Sequence, residues 1–287
     1  MRRGVIEMQT NTSMKAVRIS VSGYVNSFRV PTSHTHQATL PHPPRTTILG
    51  LMGAAFGLPP EKCLCKQYSE KFFFSVIETT QNDEKGNKYV SQQAGVLTDL
   101  WKYRKYERGV FKTPSVLLRD GLYMHKWDIY IIPRQNENKN DNEKEEISTP
   151  TLEEIVQAFE NPKWCLSLGR EDDLIRISEC KIVELMPKKV SQLKRTIVQA
   201  DFTSSGNFKI NMAAIEEYMK KTGSKYVGLK PAFTAKLPRY FIFEQNGARI
   251  GAEMVTYSFI NSPVGFELQS PIDGYSVADS DVDLVRV

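Results

Sequence analysis

The sequence predicts an α+β fold of the split βαβ, or ferredoxin-like, type, followed by a small β-rich C-terminal domain. Apolar and polar residues alternate at residues 17–21 and 123–132, which indicates half-buried strands. Apolar stripes with the period of a helix occur at residues 48–55 and 152–159. A segment rich in basic and aromatic residues separates the second predicted strand from the third. The resulting order is strand, helix, strand, inserted hairpin, strand, helix, strand.

The predicted domains follow from where these patterns begin and end. Residues 1–13 are polar and have no pattern, so we expect a disordered extension there. The ferredoxin-like domain is expected over residues 14–186 and the β-rich domain over residues 187–287. A chain of 287 residues is long enough to bury a sizeable core.

The first helix is predicted over residues 46–56. Gly57 suits the left-handed conformation of a helix C-cap. A buried strand is predicted over residues 72–79. The turn signal Asp120-Gly121 is expected to precede the third strand.

The second helix has clear signals at both ends. Thr149 is the predicted N-cap and Pro150 suits the first helical position. The pair Asn161-Pro162 ends the helix, and a fourth strand is predicted over residues 177–185.

The C-terminal part contains one predicted helix and one strong hairpin signal. The helix is indicated by three apolar residues and a terminal glycine: Met212, Ile215, Met219 and Gly223. Asn246-Gly247 lies between alternating segments at residues 240–244 and 250–259, which is the pattern of a β-hairpin.

Composition excludes some classes of protein. Hydrophobic residues make up 40% and charged residues 25%, as in an ordinary globular protein. No apolar run is long enough to span a bilayer and no secretory segment is apparent, so we expect a cytoplasmic protein without a membrane partner. Four cysteines suggest reduced thiols. The net charge of +5 does not by itself identify a nucleic-acid-binding protein.

The inserted segment interleaves aromatic rings with cations. Rings suit base stacking, which contributes about 1–3 kcal/mol per base, and cations suit phosphate. The same composition also occurs in an ordinary hairpin with a solvated basic face, and the residues alone leave both interpretations open. The candidate RNA-binding residues here are Trp101, Lys102, Tyr103, Arg104, Lys105, Arg108 and Lys112.

A second candidate is the proline-rich loop that enters the first helix. A helix N-terminus carries free N–H groups and partial positive charge, and therefore suits phosphate. The alternative is a structural loop whose polar side chains bond to the backbone. The donors in this loop are Arg29, His34, His36, Gln37, Thr39 and Arg45. Gly169 and Arg170, in the step Leu168-Gly169-Arg170, offer a further phosphate contact or a plain turn.

The histidines are candidates for catalysis and for metal binding. Metal-free RNA cleavage needs a base, an acid and a cation around one phosphate. His125 and Lys126 are neighbours on a strand and would point to opposite faces. Other candidate groups are Tyr24, His34 and His36. His34 and His36 could place two imidazoles on one side of an extended segment, but a third ligand such as His42 would need a loop geometry that the sequence does not support. We therefore expect neither a metal nor another cofactor.

One extended pattern joins the loop to the first helix: Phe28-Arg29-x-Pro31, then Gln37-x-Thr39-x-Pro41-x-Pro43-Pro44-x-Thr46-x-Ile48-x-Gly50. It resembles the N-terminal signature of the Cas-five (Cas5) family. Members are guide-RNA-binding subunits of type I CRISPR Cascade complexes, and the resemblance is to type I-B-like or related members. Residues 113–130, which include Arg119, and residues 152–174 support the resemblance.

The resemblance implies an RNA-recognition-motif-like domain with a β-hairpin thumb, here at about residues 89–118. It implies a protein that caps the 5′ handle of the crRNA. The handle would be held by the loop, the start of the first helix, the thumb with its return strand, and the Leu-Gly-Arg step. Beyond the thumb residues given above, these are Arg29, His36, Gln37, Thr39, Arg45, Thr46, Thr47, Arg119, Gly169 and Arg170.

The resemblance also implies the partners. These are the crRNA handle, the Cascade backbone subunit, the large subunit and the target DNA within the complex, in antiviral DNA targeting. One branch of the family cuts precursor crRNA, whereas most members do not cut it. We expect a non-catalytic subunit, with a metal-independent endoribonuclease as the alternative. The acidic loop at residues 136–146 is outside the family pattern and receives no role.

Overall fold

The computed structural model describes residues 13–79, 95–134, 149–202, 208–223, 232–264, 266–278 and 282–287. Three predictions fall wholly or mainly outside these residues. They are the disordered extension at residues 1–13, the part of the thumb at residues 89–94, and the acidic loop at residues 136–146.

The described residues form an α+β fold, as predicted, that consists mostly of antiparallel sheet. The strands are β1 Met14–Gly23, β2 Val25–Asn26, β3 His36–Gln37, β4 Phe72–Glu78, β5 Gly95–Tyr103, β6 Tyr106–Glu107, β7 Val110–Phe111, β8 Ser115–Tyr123, β9 Lys126–Pro133, β10 Ile175–Leu193, β11 Thr196–Val198, β12 Phe208–Ile210, β13 Phe233–Phe243, β14 Arg249–Ile260, β15 Phe266–Val277 and β16 Asp283–Val285. The helices are α1 Arg45–Phe56, α2 Pro60–Cys63, α3 Lys66–Ser69, α4 Leu152–Glu160 and α5 Met212–Thr222.

Ten strands form one large sheet in the order β12-β15-β10-β1-β9-β4-β11-β14-β13, with β16 beside β15. At its centre, β10-β1-β9-β4 are the four strands that the sequence predicts around two helices. α1 follows the first of them and α4 follows the third. These elements follow one another along the chain in the predicted order, with β2, β3, α2 and α3 in addition. The ferredoxin-like assignment stays a prediction.

Both helices cover the same face of the central strands. Ile48 and Met52 of α1 and Ile155 of α4 are fully buried in one cluster with Ile19 and Trp127 of the sheet. Full burial of a large apolar side chain contributes about 1.5–3 kcal/mol, so this layer fixes both helices to the sheet. The opposite face has its own core, in which Tyr130 of β9 packs with residues of β10, β15 and β16.

The predicted boundary at residue 186 falls inside β10, a strand of 19 residues. β10 pairs with β1 over its first half and with β15 over its second half. Strands from both sides of residue 186 thus share one sheet. The division into two domains stays a prediction.

Two local predictions are wrong. The N-cap of α4 is Thr151 and not Thr149: its hydroxyl accepts from the Glu154 amide at 3.1 Å, and Glu154 accepts from the Thr151 amide at 2.7 Å. Asp120 and Gly121 do not form a turn, because they lie within β8. β8 ends at Tyr123, and the next residue, Met124, has a φ of 60°.

The C-terminal helix and hairpin are as predicted. α5 ends at Gly223, whose φ of 66° is left-handed. β13 and β14 pair across Asn246-Gly247, where Gly247 has a φ of 82° and the Asn246 side chain accepts from the Ala248 amide at 2.7 Å. No helix in the described part of the chain is long and apolar enough to cross a membrane.

Candidate RNA-binding surface

β5 and β8 form the inserted hairpin, paired from Gly95 opposite Tyr123 to Tyr103 opposite Ser115. Its tip is the short β6–β7 pair, closed by Arg108 and Gly109, which have φ angles of 50° and 80°. Two successive positive φ angles produce the tight turn that matches the twist of paired strands. Between the β5–β8 pairing and this tip, the Lys112 amide donates to the Lys105 carbonyl at 2.8 Å.

Directly opposed residues share a face of the hairpin, which gives it two different surfaces. One face carries the pairs Asp99–Arg119 and Trp101–Leu117. We call it the Trp101 face. The other face carries Thr98–Asp120 and Leu100–Leu118 and is called the Leu100 face.

Cations collect over the ring on the Trp101 face. The guanidinium carbon of Arg119 lies 3.8 Å from the Trp101 ring centroid, and that of Arg170 lies 5.3 Å from it. The Arg119 Nε donates to the Gln37 side-chain oxygen at 3.1 Å. Trp101 is still 37% exposed. The arrangement combines an accessible aromatic ring with positively charged donors, the two groups that bind single-stranded nucleic acid.

Gly169 lets the loop that carries Arg170 approach strand β2. Its φ is 119°, and a Cβ built there would lie 2.6 Å from the Ser27 carbonyl oxygen. The Asn26 side chain donates to the Leu168 carbonyl at 2.8 Å. Glycine is required here for close packing, and it places Arg170 beside Trp101.

Asp173 holds the same loop from within. Its buried carboxylate accepts from the Ser27 amide at 2.8 Å and from the Arg170 Nη2 at 2.8 Å. Charged hydrogen bonds of this kind fix geometry well. The side chain of Arg170 is therefore oriented before any ligand binds. No sequence pattern indicates Asp173, Asn26 or Ser27. Their contacts join residues 26–27 to residues 168–173, which are far apart in the chain, and such contacts leave no local signal.

The charges around Arg119 affect its pKa. Burial, followed by repulsion from Arg170 and a weaker repulsion from Arg29, lowers the pKa of Arg119, against the attraction of Asp172 and Asp173. Carboxylates accompany these cations, because Arg170 pairs with Asp173 at 2.8 Å and Asp172 at 3.5 Å, and Asp99 lies opposite Arg119 on the hairpin.

His36 and Gln37 are brought to the hairpin by the parallel pairing of β3 with β8. Neighbours on a strand point to opposite faces, so Gln37 meets Arg119 and His36 meets Asp120. The His36 Nε2 lies 2.8 Å from the Asp120 carboxylate, which also accepts from Thr98 at 2.7 Å. Burial raises the pKa of Asp120, but these two hydrogen bonds outweigh it and lower the pKa overall. His36 therefore lies away from Trp101.

The prediction that Arg45 contacts phosphate is wrong, because its side chain is 1% exposed. The guanidinium donates to the Val287 carbonyl at 2.7 Å, to the Phe72 carbonyl at 2.9 Å, and to the Ser69 carbonyl and hydroxyl at 2.5 and 3.2 Å. It also lies over the Phe74 ring. Burial lowers the pKa of Arg45 to about 10. Arg45 is a core residue that ties α1 to the C-terminus.

The three threonines occupy structural positions. The Thr39 hydroxyl accepts from the Phe28 amide at 2.9 Å and donates to the Leu40 carbonyl at 3.0 Å, which is the structural-loop alternative. Thr46 and Thr47 lie half-buried in the first turn of α1, after Pro44 as N-cap.

The remaining basic residues are exposed along the hairpin and at its tip, where Tyr106 and Phe111 pack with ring centroids 4.9 Å apart. Lys105 forms an ion pair with Glu107. Tyr103 shares the Trp101 face and is 45% exposed, whereas Lys102 points to the Leu100 face. The exposed cations are Lys102, Arg104, Lys105, Arg108 and Lys112.

The histidines face separate partners. His125 stacks on Trp127, with ring centroids 5.7 Å apart, and its Nδ1 lies 2.9 Å from the Glu78 carboxylate. His42 is fully buried against Phe259 and bonds to the Ile260 carbonyl at 3.1 Å. Among the described residues, no group of three or more His, Cys, Asp or Glu side chains is arranged to hold a metal.

Comparison with known families shows to which family the chain belongs. The model of the family described as CRISPR-associated protein (Cas_Cas5) matches residues 16–227. The chain belongs to the Cas5 family. The predicted resemblance is confirmed, and the match includes the loop, the hairpin, Gly169 and Arg170.

Solved structures similar to this Cas5 chain share little sequence with it. A chain of a CRISPR RNA-guided surveillance complex is 12% identical, with a TM-score of 0.45, over 87% of this chain and 91% of that chain. A CRISPR protein from Archaeoglobus fulgidus is 9% identical, with a TM-score of 0.46, over 96% and 100%. A chain of a type III-B Cmr-beta complex with cognate target RNA and AMPPnP is 12% identical, with a TM-score of 0.36, over 87% and 86%. No curated protein matches the chain.

Proposed function

We propose that this Cas5 protein is a subunit of a type I CRISPR effector complex and binds the 5′ handle of the crRNA in the cytoplasm. The observation that carries the proposal is the Trp101 face, where Arg119 and Arg170 lie over an accessible indole ring. A base stacks on such a surface while its phosphate contacts the guanidinium groups. Gln37 accepts a hydrogen bond from Arg119. Its side-chain amide would contact a 2′-hydroxyl of the bound RNA.

The fold supports the same proposal. The central order β10-β1-β9-β4 is the fourth, first, third and second strand of a split βαβ unit, and we interpret it as the RNA-recognition-motif-like domain. We interpret the β5–β8 hairpin as the thumb. In this interpretation the Trp101 face of the thumb binds the RNA.

The Leu100 face is the proposed contact with the backbone subunit. It exposes apolar side chains that are more than one third accessible, a composition typical of protein interfaces. They are Val96, Leu100, Val116 and Leu118. The large subunit and the target DNA would be neighbours within the assembled complex, and guide pairing would supply the sequence specificity for DNA.

We propose that this subunit does not cut RNA. His125, the candidate base, is largely buried and is held between Glu78 and Trp127. Lys126 is exposed and belongs to the next position of the strand, so the two side chains diverge. Incubating the protein with labelled repeat RNA in excess EDTA tests this proposal, and discrete cleavage beside the handle would contradict it.

The binding proposal is tested by purifying the complex and sequencing the RNA bound to it. We expect Trp101→Ala to weaken binding of that RNA by about tenfold, since stacking contributes about 1–3 kcal/mol per base. Trp164→Ala is the matched control, because Trp164 is 52% exposed and lies outside the Trp101 face. Equal affinity of the two variants would contradict the proposed role of the Trp101 face.

A further inference from the structure

A cleft lies between the loop that carries Arg29 and the β13–β14 hairpin. Its volume is about 700 Å³. It is shallow and largely open to solvent. The side chains that line it include Arg29, Pro31, Pro238, Phe241, Arg249 and Ile250.

The cleft has a net positive charge. Two of the lining residues are arginines, and none of those in the described part of the chain is acidic. Arg249 is exposed and lies over the Phe241 ring, 4.7 Å from its centroid. Arg29 makes only a long hydrogen bond of 3.4 Å to the Ser33 carbonyl. Both guanidinium groups therefore keep donors for an anion.

Apolar residues also line the cleft. Ile250, which is 61% exposed, lines it together with Phe241 and Pro238. An exposed branched side chain beside an arginine suits a ligand that has both a flat apolar part and an anionic part. A nucleotide has both, whereas a free phosphate would leave Ile250 in water.

The hairpin that forms one wall is well supported. β13 and β14 pair along most of their length, and the Phe241 amide donates to the Leu64 carbonyl at 2.8 Å. A cleft on a fixed wall binds with a small loss of conformational entropy.

Arg29 connects this cleft with the Trp101 face. It lines the cleft, and its charge contributes weakly to the lowered pKa of Arg119. Arginines therefore lie both at the ring of Trp101 and in the cleft. A single RNA strand that follows these arginines would pass from one aromatic site to the next.

We infer that this cleft binds a second nucleotide of the same single-stranded RNA, with its phosphate between Arg29 and Arg249 and its base against Ile250 and Phe241. The inference rests on the proposed function, because it assigns a further subsite to the same strand. It extends the RNA-binding surface to the β13–β14 hairpin. The sequence predicts this hairpin but names no RNA-binding residue in it.

The test uses the full-length protein and the RNA that copurifies with the complex, resynthesised with a fluorescent label and with 4-thiouridine. We expect Arg249→Ala to weaken binding by about tenfold, as for loss of a charge-assisted phosphate contact. The slope of log affinity against log salt should fall by about 0.7. Irradiation of the unmodified protein should cross-link the RNA to β13 or β14. Lys220→Ala on α5 removes one exposed positive charge elsewhere and is the matched control.

The outcomes separate this inference from the proposed function. If Trp101→Ala weakens binding but Arg249→Ala equals Lys220→Ala and no cross-link reaches β13 or β14, the cleft inference is overturned and the function stands. If Trp101→Ala and Arg249→Ala both bind normally, the proposed RNA-binding surface itself is wrong. If Arg249→Ala releases a protein subunit while RNA binding is unchanged, the cleft is a protein contact and the inference is overturned.

Discussion

Two arginines from the family pattern, Arg45 and Arg170, occupy opposite kinds of environment. Arg45, the first residue of α1, is enclosed in the core and donates to three backbone carbonyls from two distant parts of the chain, residues 69–72 and Val287. Arg170 is held at the surface by Asp173 and lies over the ring of Trp101. Each guanidinium is fixed in place, but the first faces the core and the second faces an accessible ring.

The difference shows what decides the role of an arginine. Arg45 donates to three carbonyls from a buried position and so stabilises the fold, because a buried acceptor that loses its donor is costly. Arg170 instead pairs with two carboxylates, Asp173 at 2.8 Å and Asp172 at 3.5 Å, and this pairing holds its partly exposed guanidinium beside the ring of Trp101. An arginine near a helix N-terminus can therefore serve the core or a ligand, and its position in the sequence does not show which.

The largest expected effect comes from removing Arg45. We expect Arg45→Ala to lower the free energy of unfolding by at least about 3 kcal/mol, since three carbonyls and the Ser69 hydroxyl lose their charged donor. Chemical denaturation of the purified protein measures it. Arg176→Ala, at an exposed position on β10, should change stability by less than about 0.5 kcal/mol.

These two variants test whether Arg45 acts in the core and not on the RNA. If Arg45→Ala is as stable as Arg176→Ala and instead loses RNA, then Arg45 contacts the ligand and its enclosed position does not describe the working protein.

A smaller effect is expected at Gly169, which sharpens the comparison from the side of Arg170. Gly169→Ala places a Cβ against the Ser27 backbone at a φ of 119°. We expect a loss of about 1–3 kcal/mol in stability from backbone strain. RNA affinity should fall with it, because Arg170 would move away from Trp101. Calorimetric unfolding and RNA titration measure the two changes.

Gly50→Ala is the matched control for this substitution. Gly50 lies within α1, and a Cβ built there meets no atom within 4 Å. Alanine should therefore leave stability unchanged or raise it by about 0.5–1 kcal/mol. If both glycine variants behave alike, close packing at Gly169 is not what positions Arg170.

The sequence was sufficient where structure depends on neighbours in the chain. The stripe that contains Ile48 and Met52 predicts α1, and Asn246-Gly247 predicts the turn between β13 and β14. The capping signal of α4 was assigned to Thr149 although Thr151 caps the helix, because both threonines precede the same apolar stripe.

The candidate site was only partly predictable, because long-range contacts build it. Trp101, Arg119 and Arg170 were each proposed, but only the pairing of β5 with β8 and the docking of Gly169 on Ser27 bring them together. The acceptors of Arg45 include Val287, which is 242 positions away in the chain. No local pattern predicts such an acceptor, so a core arginine was assigned to the RNA.

The smallest expected effect concerns the Leu100 face, where Asp120 joins His36 to the hairpin. The folded protein lowers the pKa of Asp120, so its carboxylate contributes stability above the ordinary pKa of an aspartate, and this contribution is lost as the pH falls through the lowered value. Because the His36 side chain is half exposed, we expect Asp120→Asn to cost less than about 1 kcal/mol at pH 7. Unfolding measured from pH 7 to pH 3 should show the difference between wild type and variant shrinking at the acid end. A difference that does not shrink at the acid end, where the carboxylate takes up its proton, would show that Asp120 does not stabilise the hairpin as a carboxylate, and that β3 is held to β8 by its backbone alone.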